Sequence, residues 1–182
     1  MRHPVGHGRL GLPGENVVPR RYGRCARQSR GDGQAMIEAG RGDLLTADAE
    51  ALVNAVNTAG VMGKGIALQF KRTFPANCRA YRAACSRAEV RVGEMWVFEE
   101  GGRSIVNFPT KRHWRDKSRL GDIETGLDSL VSLVRERGTT SIALPALGCG
   151  AGGLAWTDVR PLIERACARI PQVRALVFAP QS

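Results

Sequence analysis

The chain alternates short apolar runs with longer segments in which apolar residues recur every three or four positions. The short runs predict strands at 36–38, 51–56, 94–99, 104–108, 141–144 and 173–178. The longer segments predict helices at 66–74, 76–88, 122–137 and 157–170, with Thr157 as the capping residue of the last. Strands that alternate with helices are typical of α/β proteins, so we predict an α/β sandwich around a mixed, mostly parallel sheet.

Glycine and proline mark the ends of several of these elements. Gly101 and Gly102 separate two predicted strands and favour a tight hairpin. Pro75 ends the helix at 66–74, and Gly138 is expected just past the end of the helix at 122–137. No internal repeat is present, so the pattern predicts one domain over residues 36–180.

The first 35 residues differ from the rest. They contain 7 Gly, 3 Pro and 7 Arg, with no apolar periodicity. We predict a disordered basic N-terminal tail, or an over-extended start with translation beginning at Met36. The alternative is a basic arm that adds non-specific affinity for nucleic acid.

Composition narrows the function classes. The net charge of +10 favours polyanionic partners. Five cysteines without a CxxC motif are typical of a reducing compartment, and the absence of a long apolar run or a signal-peptide pattern predicts a cytoplasmic protein with no membrane partner. Only His113 lies beyond residue 7 among the histidines, so we expect no metal and no other cofactor.

Two glycine-rich loops, at 58–65 and 146–153, each follow a predicted strand and precede a predicted helix. Glycine lets backbone N–H groups approach a phosphate, and a helix N-terminus adds a favourable dipole. Neither loop matches the P-loop or the dinucleotide fingerprint. The alternative is that these glycines only permit tight turns.

Three polar residues stand at strand ends. Asp43 follows the first strand, where a carboxylate can accept a hydrogen bond from an adenine amine or only stabilise a turn. Asn54 and Asn57 bracket the end of the second strand. There they can bind a ribose hydroxyl or cap the loop.

In order along the chain stand GDL at 42–44, VNAVNTAGVMGKGIALQF at 53–70, NFPTKRHW at 107–114 and LPALGCG at 144–150. This combination resembles the macrodomain family, which binds ADP-ribose, over residues 36–179. Within that family it is most similar to the DarG-type DNA ADP-ribosyl glycohydrolase antitoxins. The resemblance implies a three-layer α/β/α macrodomain fold.

The resemblance also implies roles for matching residues. Asp43 would hold the adenine, Asn57 would touch the distal ribose, and the two loops would enclose the diphosphate. The implied ADP-ribose contacts are Asp43, Leu44, Asn57, Gly60, Val61, Met62, Gly63, Gly65, Leu147, Gly148, Cys149, Gly150, Ala151 and Gly152. Lys111 matches the catalytic lysine of this branch. Gly152 stands where the related protein-directed glycohydrolases have an Asp.

Lysine chemistry suits this reaction. Opening the ribose exposes an aldehyde-equivalent carbon that a neutral amine can attack to form an imine. An ordinary lysine is protonated, so burial or the neighbouring Arg112 and Arg115 must lower the pKa of Lys111. Lys111 could instead bind phosphate or be a solvated charge. Lys64, flanked by glycines, is the rival lysine, with an expected surface or phosphate-side role.

The segment after Lys111 combines charge with an aromatic ring. Arg112, His113, Trp114 and Arg115 suit single-stranded DNA, because cations meet the backbone and Trp114 can stack on a base. The alternative is a solvated loop with Trp114 packed against the domain. Cys149, between two glycines, is expected to be a small buried residue rather than a nucleophile.

We therefore expect a hydrolase that removes ADP-ribose from a nucleobase, thymidine in single-stranded DNA, and so reverses a toxin ADP-ribosyltransferase. The alternatives are a non-catalytic ADP-ribose reader, a hydrolase of protein-linked or O-acetyl-ADP-ribose, and a nucleic-acid-binding protein without activity. Binding of a cognate toxin is in doubt, because the chain ends soon after its last predicted strand and DarG-type antitoxins carry a further C-terminal domain.

Overall fold

The computed structural model describes residues 36–180, so the predicted tail at 1–35 lies outside the described residues. Six strands form one sheet in the order β1-β6-β5-β2-β4-β3. All neighbouring strands are parallel except the β3–β4 pair, which is antiparallel. The strands are β1 (Ile37–Ala39), β2 (Ala51–Asn57), β3 (Trp96–Glu100), β4 (Arg103–Lys111), β5 (Ser141–Leu144) and β6 (Arg174–Val177). The predicted mixed, mostly parallel sheet is confirmed.

Four α-helices cover the two faces of the sheet. They are α1 (Gly65–Thr73), α2 (Pro75–Ser86), α3 (Leu120–Arg137) and α4 (Trp156–Ala168), and a short 3₁₀ turn spans Leu44–Thr46. Along β2, Ala51 and Val53 pack into the core beneath α3 and α4. Leu52 and Val56 pack on the opposite face with residues of α1 and α2. Because side chains alternate along a strand, the central strands are buried on both faces and the domain has three layers.

The predicted turns are also present. Gly101 and Gly102 connect β3 and β4, and both have a positive φ (61° and 74°). Two consecutive positive φ values define the tight hairpin turn that glycine favours. Gly138 is left-handed at the end of α3, as predicted. Within residues 36–180, none of the helices is long and apolar enough to cross a bilayer.

Two sequence predictions about element ends are wrong. Thr157 does not cap α4: the helix begins at Trp156, Ala155 occupies the capping position, and no side chain caps it. Trp156 packs against the core, which anchors the first turn without a cap. Strand β4 continues to Lys111 rather than ending at residue 108, because it pairs with β2 up to that residue.

Candidate active site

Three loops meet where parallel strands end. The loops after β2, β4 and β5 surround a cavity of about 340 Å³, lined among others by Asn57, Lys111, Gly148 and Gly152. We call it the lysine cavity. Ligands of open α/β sheets bind at this carboxyl end of the strands. The two predicted glycine loops are therefore brought to one site.

A second cavity, of about 880 Å³, adjoins the first. We call it the aspartate cavity, because Asp43 lines it together with Arg72 and Phe178. The two cavities share the lining residues Gly65, Ile66, Ala146 and Gly150. They form one elongated cleft with Asp43 at one end and Lys111 at the other. Its shape suits an extended ligand with two distinct ends.

The aspartate cavity contains residues that sequence reasoning missed. Asp43 Oδ1 accepts a hydrogen bond from the backbone N–H of Leu45 at 2.9 Å, so the carboxylate also stabilises the turn. Phe178 lies beside Gly40, where a Cβ would come within 2.6 Å of its ring. Gln69, Arg72 and Thr73 of α1 line the same cavity. No sequence motif marks these residues as one site, because Gln69, Arg72 and Thr73 are far from Phe178 along the chain.

Asn57 braces the first glycine loop. Its Nδ2 donates to the carbonyl of Val61 at 2.7 Å, and its Oδ1 accepts from the N–H of Val61 at 3.2 Å. The hydroxyl of Tyr81 donates to the backbone carbonyl of Asn57 at 3.3 Å. The side-chain amide therefore makes hydrogen bonds within the loop through both its nitrogen and its oxygen. Asn57 also lines the lysine cavity.

The second loop is closely packed around Gly152. A Cβ there would lie 2.3 Å from the carbonyl oxygen of Gly148 and 2.4 Å from Oγ of Ser118. Gly148 has a positive φ of 73°, and its carbonyl accepts from Leu154 N–H at 3.0 Å. The backbone of Ser118 also donates to the Gly152 carbonyl at 3.0 Å. The loop backbone has no room for an Asp at this position without moving.

Lys111 lies at the end of the cleft opposite Asp43. Its side chain is buried at 8% exposure at the end of β4, where the pairing with β2 shifts register by one residue. Such a bulge re-aims side chains at the end of a strand. Nζ donates to three backbone carbonyls, of Trp114 at 3.2 Å, Asp116 at 3.1 Å and Ala151 at 3.0 Å. The lysine thus joins the loop after β4 to the second glycine loop.

Burial lowers the pKa of the Lys111 ammonium. The nearby Asp116 opposes this shift and Lys117 adds to it. From the sequence, burial or the neighbouring Arg112 and Arg115 is the expected cause of a lowered pKa. In the structure burial is the largest cause, and the cation that adds to it is Lys117.

The residues after Lys111 expose an aromatic ring at the mouth of the lysine cavity. Trp114 is 44% exposed and lines that cavity. The guanidinium of Arg115 lies 4.4 Å from the centre of the Trp114 ring, and His113 lies beside the same ring at 5.2 Å. Asp116 accepts from the N–H of His113 at 2.9 Å and holds the turn. The Trp114 ring therefore lies at the edge of the lysine cavity with much of its surface exposed.

Four of the predicted ADP-ribose contacts do not line either cavity: Gly60, Met62, Leu147 and Cys149. Met62 and Leu147 are buried in the core, at 3% and 0% exposure. Gly60 faces α2, and burial raises the pKa of the Cys149 thiol, which makes it a poor nucleophile. The other ten line the cleft: Asp43, Leu44, Asn57, Val61, Gly63, Gly65, Gly148, Gly150, Ala151 and Gly152. Arg112, His113 and Arg115 lie outside both cavities.

A buried amide network lies beneath the first loop. Asn54 donates to Asn107 Oδ1 at 3.0 Å, and Asn107 donates to Asn77 Oδ1 at 2.7 Å. All three residues are fully buried. Asn54 was a candidate for ribose binding from sequence, but it has no access to the cleft. The network instead connects β2, β4 and α2, which together support the loop.

Comparison with known proteins identifies the class. The family model of the Macro domain matches residues 53–163, and the chain belongs to this family. It is 50% identical over 149 residues to the DNA ADP-ribosyl glycohydrolase of Mycobacterium tuberculosis. That match covers 80% of this chain and 42% of the relative. The chain therefore spans about two fifths of the length of the curated relatives it matches.

Solved structures agree with this assignment. The macrodomain of Mycobacterium tuberculosis DarG superposes with a TM-score of 0.79 at 50% identity, covering 81% of this chain and 99% of that chain. The Thermosipho africanus DarTG structure in complex with ADP-ribose has a TM-score of 0.76 at 32% identity, covering 82% of this chain and 43% of that chain. The three-layer macrodomain fold and the resemblance to DarG predicted from sequence are both confirmed.

Proposed function

We propose that this chain is a DNA ADP-ribosyl glycohydrolase that removes ADP-ribose from thymidine in single-stranded DNA, with Lys111 as its catalytic group. The observation that carries the proposal is the position of Lys111 Nζ. It is buried where the two glycine loops meet, at one end of a cleft whose other end holds Asp43. The relatives named DNA ADP-ribosyl glycohydrolase support the substrate class.

The cleft suggests how ADP-ribose is held. Asp43 has one carboxylate oxygen free of the bond to Leu45, and that oxygen can accept from the adenine amine. The backbone N–H groups around Gly65 and Gly150, in the part shared by both cavities, can hold the diphosphate. The distal ribose then reaches Lys111. In the structure of Thermosipho africanus DarTG, the bound molecule is ADP-ribose.

The reaction needs a neutral amine. The lone pair of Nζ attacks the anomeric carbon of the distal ribose, opened to its aldehyde-equivalent form, and the bond from this carbon to the base nitrogen breaks. The base leaves with a proton. Water then adds to the imine carbon, the carbon–nitrogen bond to Lys111 breaks, and ADP-ribose is released with the lysine regenerated. The net reaction consumes one water.

The three carbonyls that accept from Lys111 favour its ammonium form, so the amine can attack only after the proton is lost. An ammonium group has three N–H donors, and all three are used by carbonyls. A neutral amine has only two donors and a lone pair, so it cannot keep all three bonds. Loss of the proton, favoured by burial, frees Nζ to turn toward the cavity.

The biological role follows from the same reaction. Removal of ADP-ribose from DNA reverses the modification that a DNA ADP-ribosyltransferase makes. One relative is named as a fusion of such a transferase with a glycohydrolase. We propose that this chain counteracts a toxin of that type. The free thiols of Cys78, Cys85, Cys149 and Cys167 favour the cytoplasm as its location.

The test uses a single-stranded oligonucleotide with ADP-ribose on one thymidine. We expect wild-type protein and Lys64→Ala to release ADP-ribose, and Lys111→Ala and Lys111→Arg to release none. Borohydride added during turnover should reduce the imine and leave a covalent ADP-ribose adduct on Lys111 of the wild type, detected by peptide mass. Release by the Lys111 variants would remove this lysine from the mechanism. Tight ADP-ribose binding without release by any variant would leave a reader domain or a hydrolase of protein-linked ADP-ribose.

A further inference from the structure

Helix α2 carries two exposed arginines, Arg79 and Arg82, for which the structure shows no acidic partner among residues 36–180. Their neighbours along the chain differ: Arg87 pairs with Glu89, and Arg91 lies 3.7 Å from Glu94. Exposed cations without partners leave a local positive potential, which attracts polyanions.

These two arginines lie beside the first glycine loop. A Cβ placed on Gly60 would be 3.4 Å from Cα and 3.5 Å from Cγ of Arg82, so the stem of Arg82 packs against the loop. Arg79 precedes Arg82 by three residues and lies on the same face of α2, about 4.5 Å along the helix axis. Helix α2 therefore places both cations next to the loop that lines the lysine cavity.

The loop connects these arginines to the catalytic strand. The N–H of Ala59 donates to the carbonyl of Arg112 at 3.1 Å, and Arg112 directly follows Lys111. Arg112 itself is exposed, with Asp122 at 4.0 Å as its nearest acidic group. The Arg112 guanidinium is directed to α3, so Arg82 and Arg79 alone form a short row on α2, beside the loop that is bonded to the residue after Lys111. We call this row the basic ledge.

A single strand of DNA fits the basic ledge better than an acidic protein does. On the other side of Lys111, Trp114 is exposed with Arg115 stacked on its ring. An aromatic platform followed by a line of cations is the arrangement that binds unpaired bases and their phosphates. Trp114 lines the same cavity as Lys111, so a strand whose modified base enters that cavity passes this ring.

We propose that the modified DNA strand crosses the cleft from Trp114 to the basic ledge, so that Arg82 and Arg79 hold phosphates of the nucleotides that flank the modified thymidine. This inference rests on the proposed function and extends its binding surface to α2. It places two phosphate contacts outside the ADP-ribose cleft, so they act on the DNA strand and not on the nucleoside.

The test compares two substrates, ADP-ribosyl-thymidine nucleoside and a single-stranded oligonucleotide with the same modification. The variant is Arg79→Ala with Arg82→Ala. Its control is Arg160→Ala with Arg165→Ala on α4, which removes the same charge from the opposite side of the sheet. We expect the α2 variant to lower kcat/KM for the oligonucleotide about tenfold or more and to leave the nucleoside unchanged. For oligonucleotide binding, the slope of the log association constant against log salt concentration should become less negative by about 1.4. This corresponds to the loss of two phosphate contacts at about 0.7 each.

Each other outcome has a definite meaning. If the α2 variant cleaves the oligonucleotide as fast as the α4 control does, the basic ledge does not bind DNA. If it loses activity on both substrates equally, Arg82 acts by supporting the loop, and the proposal is also wrong. If wild-type protein cleaves neither substrate, the proposed function fails. In that case the basic ledge is tested by measuring the affinity for unmodified single-stranded DNA. The α2 variant should bind it more weakly than the wild type, and the α4 control should not.

Discussion

The substitution Gly152→Ala tests whether the second glycine loop is packed too closely to accept a Cβ at this position. The added Cβ would lie 2.3 Å from the Gly148 carbonyl oxygen, whereas ordinary contact begins at 3.4 Å. Relief requires a displacement of about 1 Å. The obstacle is backbone, and the Gly148 carbonyl is held by Leu154 N–H at 3.0 Å. The loop as a whole must therefore move.

The cost can be bounded from the structure. Overpacking of a well-packed site costs about 1–3 kcal/mol. A domain of this size loses about 2–4 °C in Tm for each kcal/mol, so Gly152→Ala should melt about 2–12 °C below the wild type. Because the displaced loop lines the lysine cavity, ADP-ribose binding should also weaken. A similar loss in the binding free energy corresponds to about 5- to 150-fold in Kd.

The control lies two residues away on the same loop. A Cβ on Gly150 meets nothing within 4 Å, so Gly150→Ala should melt within about 2 °C of the wild type. Thermal melting and titration calorimetry with ADP-ribose measure the two effects. Two results together would refute this reasoning: a Tm of Gly152→Ala equal to that of Gly150→Ala, and an ADP-ribose Kd of Gly152→Ala equal to that of the wild type. The close packing at residue 152 would then not set the geometry of the site.

Three further predictions follow from the site. Since burial lowers the pKa of Lys111 from its ordinary value of 10.5, and only the neutral amine attacks, log kcat/KM should rise by about one per pH unit below the lowered pKa and level off above it. Asn57→Ala removes two hydrogen bonds to the backbone of Val61, each worth about 0.5–1.5 kcal/mol, so it should cost about 1–3 kcal/mol in the free energy of unfolding, measured by urea denaturation. Trp114→Ala should weaken binding of a single-stranded oligonucleotide about 5- to 150-fold, measured by fluorescence anisotropy, because stacking contributes about 1–3 kcal/mol per base.

Each of these has its own control. Lys64→Ala should keep the pH profile of the wild type, and a profile that is flat or falls with pH would exclude a lysine nucleophile. For Asn57, an exposed substitution on the same loop, Val61→Ala, should change the free energy of unfolding by less than about 0.5 kcal/mol. Trp114→Phe should retain most of the oligonucleotide affinity. Equal loss in Trp114→Phe and Trp114→Ala would argue against stacking.

The sequence by itself determined the parts of this protein that depend on local pattern. The spacing of apolar residues located the six strands and four helices, because the buried face of a strand or helix repeats with the period of that element. The two glycine loops and Lys111 could be identified from motif and order, since each occupies a short continuous stretch. The tight turn at Gly101 and Gly102 was predictable for the same reason.

Only the tertiary structure decided how these pieces act together. The three carbonyls around Lys111 come from residues three, five and forty positions away, and no local pattern relates them. Asn54 entered a buried network because its partners lie on other elements, and Thr157 lost its capping role because the packing of Trp156 set the start of the helix. Side-chain roles of this kind depend on which distant groups the fold brings within hydrogen-bond distance, and that distance is a property of the folded chain alone.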